Sequence, residues 1–225
     1  MRLHVGSVPE PTDFVPNPPW RAMREPSVWI MQLIATPIGI VTSAVLATLW
    51  FLIGDFEGAI MPPTISGFLL SFAAITLVHE LIHAATHPGQ GLTSRSLLGV
   101  WPSKLLFYAH YDGELTRNRF IAILLMPFLC MSLAPLLFSV AIGAVPGWVV
   151  YVSVFNALLA CGDLFGATMV LLQVSPGASV HNHGYWTYWK LTGEETCIVA
   201  AEDSDGNREV TPRNASAEEV ELQEE

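Results

Sequence analysis

Apolar residues along the chain are concentrated in four stretches, each long enough to cross the hydrocarbon core of a membrane. A transmembrane helix needs about 20 predominantly apolar residues, and every stretch meets that length. The stretches run from about Val28 to Ile53, Thr64 to Thr86, Phe120 to Ile142 and Trp148 to Val174. Pro62-Pro63 and Pro146-Gly147 precede the second and fourth, as is usual where helices begin. The pattern predicts an all-α membrane protein with about four transmembrane helices.

A shorter segment between the second and third stretches has the character of strands. Residues 96–101 and 104–109 are rich in strand-forming residues, and Pro102-Ser103 separates them. This predicts a membrane-associated β-hairpin between helices two and three. Irregular or extended backbone is tolerated in a membrane only where protein or a water-filled cavity covers it. Two interpretations remain open: an edge strand that pairs with an extended peptide, or a loop that packs at the interface.

Two prolines lie inside the third stretch, at positions 127 and 135. Proline has no backbone N–H and its ring clashes with the preceding turn, so it bends a helix. The third helix is therefore predicted to be kinked. Neighbouring helices can satisfy the carbonyl groups that the prolines leave without a donor.

Composition and charge support membrane insertion and suggest an orientation. The chain is 52% hydrophobic and 13% charged, whereas soluble domains carry about 25% charged residues. Seven of the ten basic residues lie in the N-terminal segment and in the loop 88–119. Because cytoplasmic loops carry the excess of lysine and arginine, both termini and this loop are predicted to be cytoplasmic in a multi-pass protein of the cell membrane.

Three regions follow from these patterns. Residues 1–27 form a polar, proline-rich cytoplasmic segment, and residues 28–190 form one polytopic membrane domain. Residues 191–225 form an acidic tail that is predicted to be disordered, a solvating tail or a sign of an acidic, high-salt proteome. The chain has no basic patch, which argues against nucleic-acid binding. Its three cysteines form no CxxC pair, which excludes a disulfide framework.

The second stretch contains the pattern HExxH, as His79-Glu80-Leu81-Ile82-His83. Residues i and i+4 share one face of a helix, so both imidazoles can reach one metal ion. Glu80 then lies beside the open coordination position, where it can accept a proton from a water molecule that the metal activates. Ionisable side chains are costly in hydrocarbon and mark functional candidates there. A pair of buried structural histidines is the alternative interpretation.

A carboxylate in the fourth stretch completes the candidate site. Catalytic zinc usually has three protein ligands, and Asp163 is the only carboxylate in the four stretches besides Glu80. His79 and Asp163 each lie fifteen residues from the outer end of their stretch, about 22 Å deep at the helical rise. This shared depth predicts a zinc site made by His79, His83 and Asp163. The alternative role for Asp163 is that of a buried hydrogen-bond partner.

Other polar residues near these positions have open roles. Asn156 lies two helical turns before Asp163, and its amide could stabilise an oxyanion or form an interhelical hydrogen bond. His87 follows His83 by four residues and is interpreted as interfacial or as a support for the ligands. His110 could fold back towards the metal, although its spacing alone does not show this.

Several separated motifs carry a resemblance to a known family. These are His79–His83, Tyr108–Gly113, Arg117–Phe120, Met126–Phe128 and Cys161–Leu164. From about residue 70 to 190 the chain resembles a membrane family of putative zincin peptidases, domain of unknown function 3267. More distantly it is similar to the site-2 proteases, which share an intramembrane HExxH, an aspartate from a later helix and a hairpin between them. It departs from the site-2 pattern because Gly162 precedes Asp163 and Leu164 follows it, instead of Asn-Pro before Asp-Gly.

The resemblance implies an intramembrane zinc metalloprotease. His79, His83 and Asp163 would bind Zn²⁺, and Glu80 would be the general base. The substrate would be a membrane-anchored protein or peptide in the lipid bilayer. The alternative is a non-catalytic metal-binding scaffold or chaperone, which needs no general base. A metal transporter fits less well, because the ionisable groups of the spans lie at one depth only.

Overall fold

The helices of the chain follow the predicted stretches closely. The computed structural model describes residues 1–11, 13–62, 64–191, 198–202 and 208–212. Its α-helices are α1 (Val28–Ile53), α2 (Ile65–Thr86), α3 (Arg117–Pro127), α4 (Ala134–Ile142), α5 (Gly147–Leu159) and α6 (Cys161–Gln173). A π-helical segment, Phe128–Leu133, joins α3 to α4. Short 3₁₀ turns occupy Pro88–Gly91 and Pro102–Lys104. The positions of the first two predicted helices are therefore confirmed to within one residue.

Strands occupy the segments before, between and after these helices. They are β1 (Arg2–Val5), β2 (Arg21–Ala22), β3 (Phe56–Glu57), β4 (Ser96–Trp101), β5 (Leu106–Tyr111), β6 (Leu115–Thr116), β7 (Val145–Pro146), β8 (Ala178–His183), β9 (Trp186–Leu191), β10 (Ile198–Glu202) and β11 (Arg208–Pro212). The prediction of an all-α protein is thus only partly right. Strand pairing links segments far apart in the chain, and a local apolar pattern does not reveal such pairs.

The apolar helices have the dimensions of membrane spans. By length and composition, three helices could each cross a membrane, namely α1, α2 and the continuous unit Arg117–Ile142. The pair α5–α6 adds a fourth if the two are counted as one span, but they are bent by 49° at their junction. The prediction of a single helix over this stretch is therefore wrong in detail, because the chain breaks at Ala160.

The third span changes from α-helix to π-helix where its first proline lies. Pro127 is the last residue of α3, and the π-helical segment begins directly after it. Pro135 lies in the first turn of α4, where a missing N–H costs nothing. Inserting a π-helical turn is one of the identifiable causes of a bent helix.

A close approach of two helices supports the junction of α5 and α6. Gly39 of α1 faces this junction, and a Cβ atom at Gly39 would lie 2.7 Å from the Cβ of Cys161 and 2.9 Å from the carbonyl oxygen of Leu158. Only glycine allows this contact. Further along α1, Trp50 is fully buried and its indole N–H donates to the Ser153 hydroxyl at 2.9 Å.

Two sheets cover the end of the bundle, and both include the N-terminal segment. One sheet has the order β1-β4-β5, with β1 parallel and β5 antiparallel to β4. The β4–β5 pair is the predicted hairpin, and Gly99 leaves room for the ring of Tyr108 on the facing strand. The other sheet has the order β2-β9-β8-β6. The first 27 residues therefore pack onto the domain as part of both sheets.

Two segments of the acidic tail are described, and they pair with each other. β10 and β11 form an antiparallel two-stranded sheet. The predicted disorder of the tail otherwise concerns residues outside the described part of the chain.

Candidate metal centre

Helix α2 presents two histidines from adjacent turns of one face. His79 and His83 are 4% and 5% exposed, and their Nε2 atoms lie 3.2 Å apart. The ring planes are nearly perpendicular, at 76°, with centroids 4.8 Å apart. The spacing of four residues therefore aims both imidazoles at one point, as the helical pattern predicts.

The bend between α5 and α6 brings a carboxylate to the same point. Asp163 lies in the first turn of α6, where the positive end of the helix dipole favours an anion. Its Oδ2 lies 2.9 Å from Nε2 of His79, and its Oδ1 lies 3.3 Å from Nε2 of His83. Ligand atoms from all three residues lie within 4.8 Å of one another. The structure thus brings together the three residues that shared a predicted depth.

The side chain of Asn156 fixes the tautomer of His79. Its amide nitrogen donates to the carbonyl oxygen of Pro127 at 3.1 Å, and a carbonyl can only accept. The amide oxygen of Asn156 must therefore face Nδ1 of His79, 2.8 Å away, and that nitrogen must carry the hydrogen. In the neutral ring, Nε2 then keeps a lone pair for a metal ion, whereas a protonated Nε2 would donate to Oδ2 of Asp163, 2.9 Å away. Asn156 holds the back of the ring in this geometry.

A backbone carbonyl fixes the tautomer of His83 in the same way. Nδ1 of His83 lies 2.7 Å from the carbonyl oxygen of Ile123 and must donate to it. In a regular helix this carbonyl would accept from the N–H four residues later, which is at Pro127. Proline has no N–H, so the carbonyl of Ile123 is free for His83. Pro127 thus supplies a hydrogen-bond acceptor to the site.

These tautomers make the three residues fit a metal ion. Two ring nitrogens and a carboxylate face one another, and such a set needs a positive charge between its members, which a metal ion or shared protons supply. Histidines that bind metals usually donate their other ring N–H to a carbonyl or carboxylate, as both do here. Two nitrogens and one carboxylate oxygen form a donor set that suits zinc, and three protein ligands leave one position open.

Glu80 points into the same space from the face of α2 next to the ligands. The backbone N–H of Ala109 on β5 donates to its carboxylate. Its Oε2 atom is buried and has no hydrogen-bond partner among the described residues. A buried carboxylate oxygen without a hydrogen bond is costly, so its presence calls for an explanation. The role of a general base beside a metal ion would explain it.

One cavity of about 270 Å³ connects the ligands to the sheets. Its helical wall carries His79, His83, Asp163 and Glu80, and its opposite wall is formed by β5, by the β8–β9 hairpin and by residues that precede α1. His87 and His110 also border the cavity, but neither belongs to the three-ligand group. His87 is buried, and its Nδ1 lies 3.2 Å from the hydroxyl of Ser96.

Titratable side chains on the sheet side are shifted by burial. Burial lowers the pKa of His110 and of His87 to about 4, so both rings are neutral at pH 7. Burial raises the pKa of Glu25 to about 6, and this desolvation outweighs two hydrogen bonds from Thr187. The pKa of Tyr185 is raised to about 12, first by burial and then by the nearby charge of Glu25.

Glu25 is a cavity residue that the sequence did not reveal. It precedes α1 in a polar segment, and its partner Thr187 lies 162 positions later in β9. No local pattern marks such a pair. The only signal in the sequence is a lone acidic residue next to Pro26 at the start of the first apolar stretch.

Comparison with known proteins relates this site to a family. No curated protein and no solved structure matched the chain. Residues 71–179 match a family model with the description "Putative zincin peptidase". The match includes the helix of the HExxH pattern, the β4–β5 hairpin and Asp163. All the ligands of the candidate metal centre therefore lie within the part of the chain that is similar to the family of putative zincin peptidases.

Proposed function

We propose that this protein is an intramembrane zinc metalloprotease that hydrolyses peptide bonds of membrane-anchored substrates. The observation that carries the proposal is the position of Glu80. Its unpartnered carboxylate oxygen borders the cavity beside three side chains that converge as metal ligands. A metal-binding scaffold has no need of a buried, unsatisfied base at that place.

His79, His83 and Asp163 would hold the zinc ion. When bound, zinc polarises a carbonyl group and acidifies a water molecule. Glu80 takes a proton from the attacking water and returns it to the leaving amine. Asn156 acts as a positioning residue that keeps His79 in the binding tautomer, and the carbonyl of Ile123 does the same for His83. This role for Asn156 replaces contact with an oxyanion, because its amide is engaged behind the ring.

The edge of β5 is suited to binding an extended substrate. The N–H of Ala109 points away from β4, because it donates to Glu80. Backbone groups alternate along a strand, so the backbone groups of Phe107 point to the same open edge. A substrate that paired with this edge would run past Glu80 and the metal ligands. This supports the interpretation of the hairpin as an edge strand for β-strand addition.

Apolar helix surfaces support a place in the membrane. Leu33 of α1, Leu70 of α2 and Leu137 of α4 are 74%, 73% and 66% exposed. Large exposed apolar surfaces on spans of this length suit lipid contact. Pairing of β1 with β4 keeps the N-terminal segment and the 88–119 loop on one side, in agreement with the charge pattern that assigns both to the cytoplasm.

The decisive experiment separates metal binding from hydrolysis. Wild-type protein and the Glu80→Gln variant are purified in detergent, and zinc content and cleavage of single-span reporter proteins are measured together. We expect equal zinc content and loss of cleavage in Glu80→Gln. Glu57→Gln, which changes an exposed acid far from the cavity, is the matched control and should cleave normally. Cleavage retained by Glu80→Gln would refute the mechanism, and absence of cleavage in the wild type on every reporter would favour the scaffold.

A further inference from the structure

The cavity contains a carboxylate that the proposed hydrolysis does not use. Glu25 borders the cavity at the end formed by the N-terminal segment and the β8–β9 hairpin. Its two oxygens accept from the backbone N–H and the hydroxyl of Thr187, at 2.7 and 2.9 Å. A carboxylate has about four acceptor sites, so two hydrogen bonds leave capacity for another donor.

No basic side chain compensates this charge within the cavity. The described residues that border it include three carboxylates, those of Glu25, Glu80 and Asp163, and no lysine or arginine. The nearby basic residues Arg21 and Arg24 border a separate pocket. A zinc ion would balance the charge of Asp163, but Glu25 lies outside the group of ligands. Glu25 is half-buried, and partial burial of an uncompensated carboxylate still costs free energy that a cationic ligand group would offset.

A second acceptor in the cavity also lacks a donor. Oδ1 of Asn182, on β8, is buried and has no hydrogen-bond partner among the described residues. This wall therefore offers an unpaired acceptor at Asn182 in addition to the free acceptor sites of Glu25. An ammonium or guanidinium group offers several donors and no acceptor, which complements such a set.

The surrounding side chains suit the stem of a basic residue. Met23 and Met31 border the same cavity, and the ring of Tyr185 is held there by a hydrogen bond to the carbonyl oxygen of Pro26 at 3.1 Å. Methionines adapt to unbranched chains, and an aromatic ring attracts a cation. Lysine and arginine bury their methylene groups on apolar surface while the charged end is paired.

We propose that Glu25 is a specificity residue, which binds a lysine or arginine side chain of the substrate close to the scissile bond. This inference rests on the proposed protease function and names its substrate class. Charge-assisted hydrogen bonds are strong enough to give a preference of about tenfold or more over an uncharged side chain of the same length.

The test measures binding and does not depend on turnover. The probes are apolar three-residue peptide hydroxamates, which bind zinc through the hydroxamate, with lysine at each position in turn and a norleucine twin for each. Dissociation constants are measured by calorimetry on zinc-loaded wild type, Glu25→Gln and the control Glu10→Gln, an exposed acid near the same hairpin. We expect lysine at one position to bind about tenfold more tightly in wild type and control, and less than about twofold more tightly in Glu25→Gln.

The outcomes separate failure of this inference from failure of the proposed function. Equal binding of twins by the wild type, or a preference that persists in Glu25→Gln, would overturn the specificity role. A loss of affinity for both twins in Glu25→Gln would also overturn it, since that result means that Glu25 only ties the N-terminal segment to Thr187. Absence of binding by every hydroxamate, with no zinc in the protein, would overturn the metal centre and this inference with it.

Discussion

The two walls of the cavity are built on different principles. The helical wall presents two ligands from α2, four residues apart, and a third from α6. Hydrogen bonds to the Nδ1 atoms of both histidines hold the rings in place. The sheet wall is assembled from segments far apart in the chain, as in the pairs of β1 with β4 and β2 with β9. The first wall has chemistry that a short motif can encode. The second has shape and charge that exist only after the chain has folded.

The largest difference between the two walls is expected when a metal ligand of the helical wall is removed. In Asp163→Ala and His79→Ala we expect zinc to fall from about one ion per chain to none, because two protein ligands do not make a stable site. Atomic emission of the purified proteins measures this. The sheet wall should survive, so both metal-free variants should still unfold cooperatively on heating, with His79→Ala somewhat less stable because Asn156 loses its donor. A variant that kept its zinc would show that the removed residue is no ligand.

The sheet wall should be the more sensitive to acid, because His110 is buried there as a neutral ring. Its folded pKa of about 4 lies below the ordinary 6.5, so the unfolded state binds more protons as the pH falls. Stability should drop between pH 6.5 and 4, by on the order of 3 kcal/mol at most from this residue. Urea unfolding of metal-free protein at several pH values measures the slope, and His110→Gln should flatten it. An unchanged slope would exclude His110 as its source.

The hydrogen bond between Asn156 and Nδ1 of His79 can be tested by removing the amide. Asn156→Ala removes the acceptor that fixes the His79 tautomer, and loss of such support lowers metal affinity by about 10–100-fold. Competition with a chelator of known affinity measures it. Asn118→Ala, at an exposed position of α3, is the control and should bind zinc like the wild type. An unchanged affinity in Asn156→Ala would mean that the helix alone orients His79.

The smallest effect is expected at Pro127. Pro127→Ala restores an N–H that competes with His83 for the carbonyl of Ile123, which has two acceptor sites, so zinc affinity should fall by less than about tenfold. Thermal stability should change little, since the restored N–H favours the helix whereas loss of the buried ring leaves a small cavity. Weaker zinc binding with undiminished stability would identify the carbonyl as a support of the ligand. Lower stability with unchanged affinity would contradict this.

The sequence predicted the helical wall well because its rules are local. Apolar length located the spans, helical period joined His79 to His83, and equal depth selected Asp163, which the structure brings within 2.9 Å of His79. The bend at Ala160 was not predicted, because no proline marks it. The sequence also left two roles open for Asn156, contact with an oxyanion or an interhelical hydrogen bond. Glu25 stayed hidden because its position depends on a pair of strands closed across nearly the whole chain.

The hydrogen bond from His83 to the carbonyl of Ile123 joins a metal ligand to a spanning helix. Helices adjust their tilt to the thickness of the bilayer, so in the proposed membrane setting the position of that carbonyl follows the surrounding lipid. If zinc binds there, its affinity should differ between protein reconstituted in short-chain and in long-chain lipids. Pro127, which leaves the carbonyl of Ile123 without its helical donor, would then link metal loading to the thickness of the surrounding bilayer.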